Sequence, residues 1–539
     1  MGKIVFLLTV ALAVSASSPA LAATWHVSES VESSGDGASW GTAFKRIQEG
    51  IDASSDGDTV IVGPGTYVEN IRFSGKNITL RSTDPLDPAI VAATIIDGNQ
   101  SGSVVTFDGT EDETCCLRGF TIRNGGADYG AGITGSKAGL FTQATIERNQ
   151  IRDNSASIHG GAVAHCDGAI VENRIVANSA TGMGGGLYDC NGLIAWNVII
   201  GDSAGHGGGL AKCQATISGN VLSDNTATRE GGGLYMCDRM ISGNQITGCS
   251  GSIGAALADC DGSIQRNTIS LTKWGSSVLE DCDGLIEGNA ITGNSGTAIY
   301  DCDGTIGNNL VAGNRGKGGG GISECEGIIV NNTIVNNWAA AGGGICYSQG
   351  VIVNCVIWGN DATYDYLGQV YSSNEPTYSC IQDWSGDEGN TAEDPQFVDP
   401  DGPDNKLDTY QDNDYHLLPD SPCIDAGENW MLDPASLDLE GNLRIAFGGK
   451  SLTVDMGTYE YNSSPFAISQ IFMDNDSLVI TWHSQPNDTY VLWFCTDPAF
   501  QTWARGATIP SDGATTTFTV VSIAPFPDYQ LFRIEMTSP

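Results

Sequence analysis

Gly184-Gly185-Gly186-Leu187-Tyr188-Asp189-Cys190-Asn191-Gly192-Leu193-Ile194-Ala195-Trp196-Asn197-Val198-Ile199-Ile200-Gly201-Asp202 is one copy of a motif that recurs every 20–24 residues. Cysteine returns at Cys166, Cys190, Cys213, Cys237, Cys260, Cys282, Cys302 and Cys325. An isoleucine column runs unbroken through Ile170, Ile194, Ile217, Ile241, Ile264, Ile286, Ile306, Ile329 and Ile352. Asparagine follows at Asn173, Asn197, Asn220, Asn244, Asn267, Asn289, Asn309 and Asn332. It returns five residues later at Asn178, Asn225, Asn294, Asn314, Asn337 and Asn360. Within each copy the apolar period is two, as in Cys282-Asp283-Gly284-Leu285-Ile286, which is the period of a strand. Such a unit can bury its apolar face only against the next copy. The chain is therefore expected to be an all-β solenoid whose coils stack about 4.8 Å apart. Asparagine suits its turns because it tolerates left-handed backbone and bonds locally, and stacked asparagines can bond to one another.

Outward from the repeats, four segments are expected. Residues 1–22 have the form of an export signal: Lys3, an apolar run Ile4 to Val14, then Ala20-Leu21-Ala22. Residues 23–360 form the solenoid with an N-terminal cap, in which Phe44, Ile47 and Ile51 have helical spacing. Residues 361–462 break the repeat with Asp, Pro and Gly and are expected to cap it. Residues 463–539 carry alternating runs at Leu478–Trp482, Tyr490–Cys495, Thr515–Val521 and Tyr529–Ile534, the pattern of a small β-sandwich. Trp482, Trp493 and Trp503 there suit either a core or sugar stacking.

Sixty-four acids against 24 bases give a net charge of −40. This excludes nucleic acid as partner, since phosphates demand basic surface, and disfavours anionic lipid. No run outside the leader is apolar and long enough to span a bilayer. A secreted or cell-surface monomer is expected. The sixteen cysteines of an exported chain would ordinarily pair. Stacked cysteines, however, point the same way with their Cβ atoms too far apart, so the column is expected to hold free thiols. Cys115, Cys116, Cys380 and Cys423 are better disulfide candidates.

The repeat resembles the right-handed parallel β-helix of the pectin-lyase-like superfamily, and the resemblance covers about residues 24–462. Residues Tyr415 to Gly427, with Asp438, Gly441, Asn442, Arg444 and Val454 to Glu460, resemble the tail of "choice-of-anchor Q" surface proteins. The resemblance implies the scaffold and leaves the reaction open. The paired Asp-Asp that polygalacturonase-type hydrolases carry is missing, although Gly205-His206-Gly207 matches their Gly-His-Gly. The arginine motif of pectate lyases is missing too.

Candidate chemistry lies beside the cysteines. One acidic line is Asp259, Asp281, Asp301 and Glu324; the other is Asp238, Asp261, Asp283, Asp303 and Glu326. Like charges about 5 Å apart repel by roughly 1 kcal/mol even in water. Calcium, which takes several carboxylates, is the cation such a ridge would hold; solvent, local hydrogen bonds or protonation would also relieve it. Earlier in the same face come His165, His206, Lys212 and Arg229. A β-eliminating lyase needs a base and a cation to neutralise a uronate. Lys212 or His206 could serve as base, Arg229 as neutraliser and Asp238 or Asp259 as calcium ligand; equally, these bases could simply pair with acids. The leading expectation is a protein that engages extracellular polysaccharide along one solenoid face. A polysaccharide lyase, ahead of a glycoside hydrolase, and a structural or adhesive surface protein are the rivals.

Overall fold

The structure is a computed structural model. It describes residues 22–136, 142–364, 368–384, 386, 388–406, 410, 412–432, 436–446, 448, 451, 453–461, 468–474, 477–483, 489–495, 504–510, 515–520 and 531–537. The leader, Tyr529 and Trp503 lie outside these residues, as do the side chains of Trp482 and Trp493. The chain divides into two compact units, Met1–Met240 and Ile241–Pro539.

In the first unit each coil places one short strand in each of three parallel sheets, and five strands form a fourth. One coil supplies Val163–Ala164, Ile170–Val171, Arg174–Val176 and Ser179–Ala180. Register stacks aliphatic residue on aliphatic residue along inward strand columns. Val163 pairs with Leu187, Leu187 with Leu210 and Leu210 with Leu234; Ile146, Ile170, Ile194 and Ile217 pair in the same way. The second unit repeats this through Ile264, Ile286, Ile306, Ile329 and Ile352. The two-residue period is visible in strands such as Thr145–Glu147 and Thr216–Ser218, where only the central residue is buried. Truncating one such isoleucine to alanine would cost about 2–5 kcal/mol.

The turns differ from expectation in one detail. The asparagine columns are not themselves left-handed; the residue before them is. Arg148, Glu172 and Trp196 precede Asn149, Asn173 and Asn197 with φ of 53°, 55° and 52°. The sharp corner aims the following side chain inward, where it is fully buried. Inside, the backbone N–H and Nδ2 of Asn173 both donate to Oδ1 of Asn197, at 2.9 and 3.1 Å, while Nδ2 also donates to the Ile146 carbonyl at 2.8 Å. In the second unit Asn289 does the same to Asn309 and Ile264. A buried amide with its donors and its acceptor satisfied costs little to bury, and the next coil cannot slip without breaking these bonds.

The thiol column is as expected. No disulfide forms among the fifteen cysteines whose side chains are described. Cys166, Cys190 and Cys213 are buried, and each Sγ donates to the carbonyl two residues back, at 3.5, 3.4 and 3.5 Å. The expected disulfides are corrected. Cys115 faces the core while Cys116 turns toward Glu147, and Cys380 donates to the Glu393 carbonyl.

The helix at the N-terminal end is Ile47–Ala53, with Ile47, Gly50 and Ile51 buried. A Cβ on Gly50 would come within 2.9 Å of Val60 and 3.0 Å of Val27, so the helix lies flat on the first strands. Lys76 closes its C-terminal end by donating to the carbonyls of Ile51, Asp52 and Ser54. A second short helix, Pro88–Ala93, gave no periodic signal because it is barely two turns.

In the second unit the coils continue past residue 360: Val370–Tyr371 pairs with Ile345–Cys346, and Cys380–Ile381 with Val356–Trp358. The segment that follows packs on the outward side of these coils. Tyr415 meets Leu310, Ala312 and Val335; Leu417, Cys423, Ile424 and Met456 meet Val356. That is why Leu310–Ala312 is buried at all three positions where other strands expose the outer two. Beyond it lie two three-stranded antiparallel sheets. Ser477–His483 and Thr489–Cys495 are the central strands, and Ile468–Asp474 and Ala504–Pro510 are strands the alternation had not marked.

One ladder position breaks the asparagine rule. Asp202 stands between Asn178 and Asn225; its Oδ1 accepts both N–H groups of Asn178, at 2.6 and 3.0 Å, and its Oδ2 has no partner. Burial pushes this carboxyl up to about 7, against the pull of the Asn178 bonds. A folded-state value above the unfolded one makes the stabilisation full at acid pH and lost as pH rises toward 7. Asp202→Asn is therefore expected to raise stability above pH 7 by on the order of 2–4 kcal/mol and to change little at pH 4. Denaturant midpoints across pH check this.

Candidate functional site

Both acidic lines lie on the outer side of the coils. The first occupies a column of left-handed corners, not strand positions. Asp259, Asp281, Asp301, Glu324 and Tyr347 have φ of 50°, 53°, 51°, 57° and 52° in the second unit; His165, Asp189, Lys212 and Met236 have 58°, 51°, 54° and 54° in the first. The second line turns out to be a hydrogen-bond ladder. Oδ1 of Asp261 accepts the backbone N–H of Asp283 at 3.1 Å, Asp283 that of Asp303 at 2.8 Å, and Asp303 that of Glu326 at 2.7 Å. In the first unit Asp167 and Asn191 do the same work, and Asp238 accepts from the Gln214 amide at 2.8 Å.

These bonds relieve the second line. In the first line the crowding shows as carboxyls that hold a proton more tightly than usual. Burial, then a hydrogen bond with Asp259 and the charges of Asp259, Asp283 and Asp261, push Asp281 up to about 6; Asp301 is raised by burial and by its acidic neighbours. Asp301, Asp303, Glu324, Glu326 and Tyr347 line an open hollow of about 530 Å³. Among the described residues, no three His, Cys, Asp or Glu side chains form a group that could hold a metal ion. The calcium expected at Asp238, Asp259, Asp261, Asp281, Asp283, Asp301, Asp303, Glu324 and Glu326 thus lacks a coordinating group among them.

Two of the four bases of the first unit are held by carboxylates. His165 is buried, with Nδ1 3.0 Å from Asp189 Oδ2 and Nε2 without a partner. His206 Nδ1 lies 3.1 Å from Glu230 Oε2. The His165 bond, helped by the Lys212 charge, holds Asp189 below the usual carboxylate range against burial. Arg229 is exposed, one coil beyond Gly205. Aromatic rings fill the gaps: Tyr188 stacks on His159 at 4.4 Å and meets His165 edge-on at 5.6 Å, and Tyr235 lies 4.9 Å from His206.

A groove in the second unit was not foreseen. Arg315, Trp338 and Asp361 are stacked on three successive coils, Arg315 bridging to Trp338 and Trp338 pairing with Asp361 in parallel register. All three face outward, and Trp338 is 42% exposed. With Asn336, Asn337 and Tyr410 they line a groove of about 330 Å³. Tyr410 forms its far wall by resting on Gly313, where a Cβ would stand 2.0 Å from its ring. Gly313 is also left-handed, with φ of 66°, so glycine serves both the corner and the ring above it. The signal was present in the sequence: each of the three residues directly follows a ladder asparagine, Asn314, Asn337 or Asn360.

Residues 118–315 match a family described as periplasmic copper-binding protein (NosD). No curated protein matches the chain. Similar solved structures include pectate lyase Pel9A, at 13% identity and TM-score 0.27 over 81% of this chain and 96% of that one. The A-module of mannuronan C-5 epimerase AlgE6 from Azotobacter vinelandii is similar at 15% identity and TM-score 0.30, over 65% and 95%. XylC in complex with xylose is similar at 11% and 0.27, over 95% and 100%. The copper of the matched family's description has no group of three His, Cys, Asp or Glu ligands among the described residues, and His165 and His206 are each tied to a carboxylate. No described helix is long and apolar enough to cross a membrane.

The raised Asp281 carboxyl gives a direct test of the ridge. Asp281 is expected to titrate near pH 6 by carbon NMR and to fall toward the ordinary carboxylate range in Asp259→Asn; an unchanged midpoint would rule out the coupling. The chain is a parallel β-helix protein, similar across residues 118–315 to a periplasmic family.

Proposed function

We propose that this is an exported β-helix protein that binds extracellular polysaccharide along one solenoid face, with the Trp338 groove as its principal contact. The observation that carries this reading is the exposed indole of Trp338, set between polar side chains on stacked coils and walled by Tyr410. An indole offers a flat apolar face to a sugar's C–H face, while Asn336, Asp361 and Arg315 supply donors and acceptors for its hydroxyls. Stacked coils about 4.8 Å apart repeat such contacts along a line, which suits a polymer. The match to a family described as periplasmic agrees with the export signal and with a location outside the cytoplasm.

The lyase reading has less support. His165 and His206, the latter an expected base, are each tied to a carboxylate. Calcium gains no support from the ridge, whose second line is occupied by backbone N–H groups.

Trp338→Ala is expected to weaken binding to any bound glycan about ten-fold or more, with the fold kept because the Asn314, Asn337 and Asn360 ladder still holds the coils. Glycan-array screening followed by calorimetry on the full chain measures it. Silence across neutral and acidic glycans, or an unchanged affinity in the variant, would defeat the proposal.

A further inference from the structure

We infer that the Trp338 groove selects an anionic saccharide, one bearing a carboxylate or a sulfate ester, and that Arg315 is the residue that reads the charge. This rests on the polysaccharide-binding reading above and specifies it.

Charge context comes first. The chain holds 24 bases among 64 acids, so carboxylates are plentiful for an outward cation to pair with. Several do: Arg148 pairs with Glu172 at 2.7 Å, Arg123 with Asp97 at 2.8 Å and Arg118 with Glu147 at 3.1 Å. Arg315 forms no ion pair among the described residues, although it lines a groove that also contains Asp361. The stacking explains this. Trp338 lies on the coil between them, so Arg315 and Asp361 are two coils apart, about 10 Å along the stack. The indole keeps the guanidinium and the carboxylate from neutralising each other. Lys317, two residues on from Arg315 and also exposed, adds a second cation at the same edge, with Gly316 turned inward between them.

A site for neutral sugar alone needs no cation. A guanidinium offers a planar fork of donors that matches a carboxylate or a sulfate. A sugar ring seated on Trp338 would have Arg315 on one side and Asp361 on the other. An acidic substituent is drawn toward Arg315, and hydroxyls are left to Asp361 and Asn336. On a surface this negative, that local positive spot is where an acidic polymer can approach, and the approach weakens with salt.

The test is calorimetry on the full chain with three probes of equal length: oligogalacturonate, a sulfated galactan oligosaccharide and a neutral galactan oligosaccharide. At least one anionic probe is expected to bind about ten-fold or more tightly than the neutral one. Arg315→Gln is expected to bring that ratio close to one, and Arg315→Lys to restore part of it. Which anionic probe shows the preference tells carboxylate from sulfate. A neutral probe that binds as tightly as both anionic ones, or a ratio unchanged in Arg315→Gln, overturns the inference. If Trp338→Ala still abolishes binding in that case, the polysaccharide reading survives alone. If no probe binds the unaltered chain, both fall.

Discussion

Everything in this molecule depends on side-chain amides that hold one coil over the next. A solenoid of short strands has little within a coil to set its height or rotation. Here Asn173 and its successors answer three groups at once: the N–H and the amide of neighbouring asparagines, and a carbonyl of the coil behind. The left-handed corner directly before each asparagine turns that side chain inward. Corner and ladder are thus one device. The aliphatic columns supply most of the burial free energy, but greasy side chains tolerate sliding; the amides do not.

That division frees the outer surface. Once register is held from inside, outward positions carry what the surface requires. The Asp261-Asp283-Asp303 line uses carboxylates for the work that Asn191 does elsewhere, accepting the next coil's N–H. It therefore gains an acidic ridge without losing register. Asp281, buried in part and crowded by Asp259, Asp283 and Asp261, holds its proton more tightly than usual instead. The Trp338 groove is the same freedom used differently, with three unlike side chains placed on successive coils by a strict internal repeat.

The fold was legible because its cause is periodic. Ile170, Ile194 and Ile217 pair as their spacing implies, and the buried thiols follow from the same repeat. The N-terminal helix was legible from Ile47 and Ile51, whereas Phe44, expected to share its spacing, precedes it on a bridge to Val27. The site was harder. The acid lines were conspicuous by composition, yet their meaning depends on which backbone N–H each carboxylate reaches, and letters do not show that. The calcium expectation rested on repulsion, which backbone hydrogen bonds relieve along the Asp261-Asp283-Asp303 line. Arg315, Trp338 and Asp361 differ in type, so no column of like residues drew attention to them, although each follows a ladder asparagine. Tyr410 comes from an irregular segment whose path no repeat announces.

The most direct test is hydrogen exchange of the asparagine side-chain amides by nitrogen NMR. If coils are held by the ladders, the Nδ2 protons of Asn173, Asn197, Asn289 and Asn309 should exchange only through large-scale opening, orders of magnitude more slowly than those of an exposed asparagine. Exchange at the rate of a free amide would show that the coils are not locked in this register, and the ridge and the groove built on it would go with it.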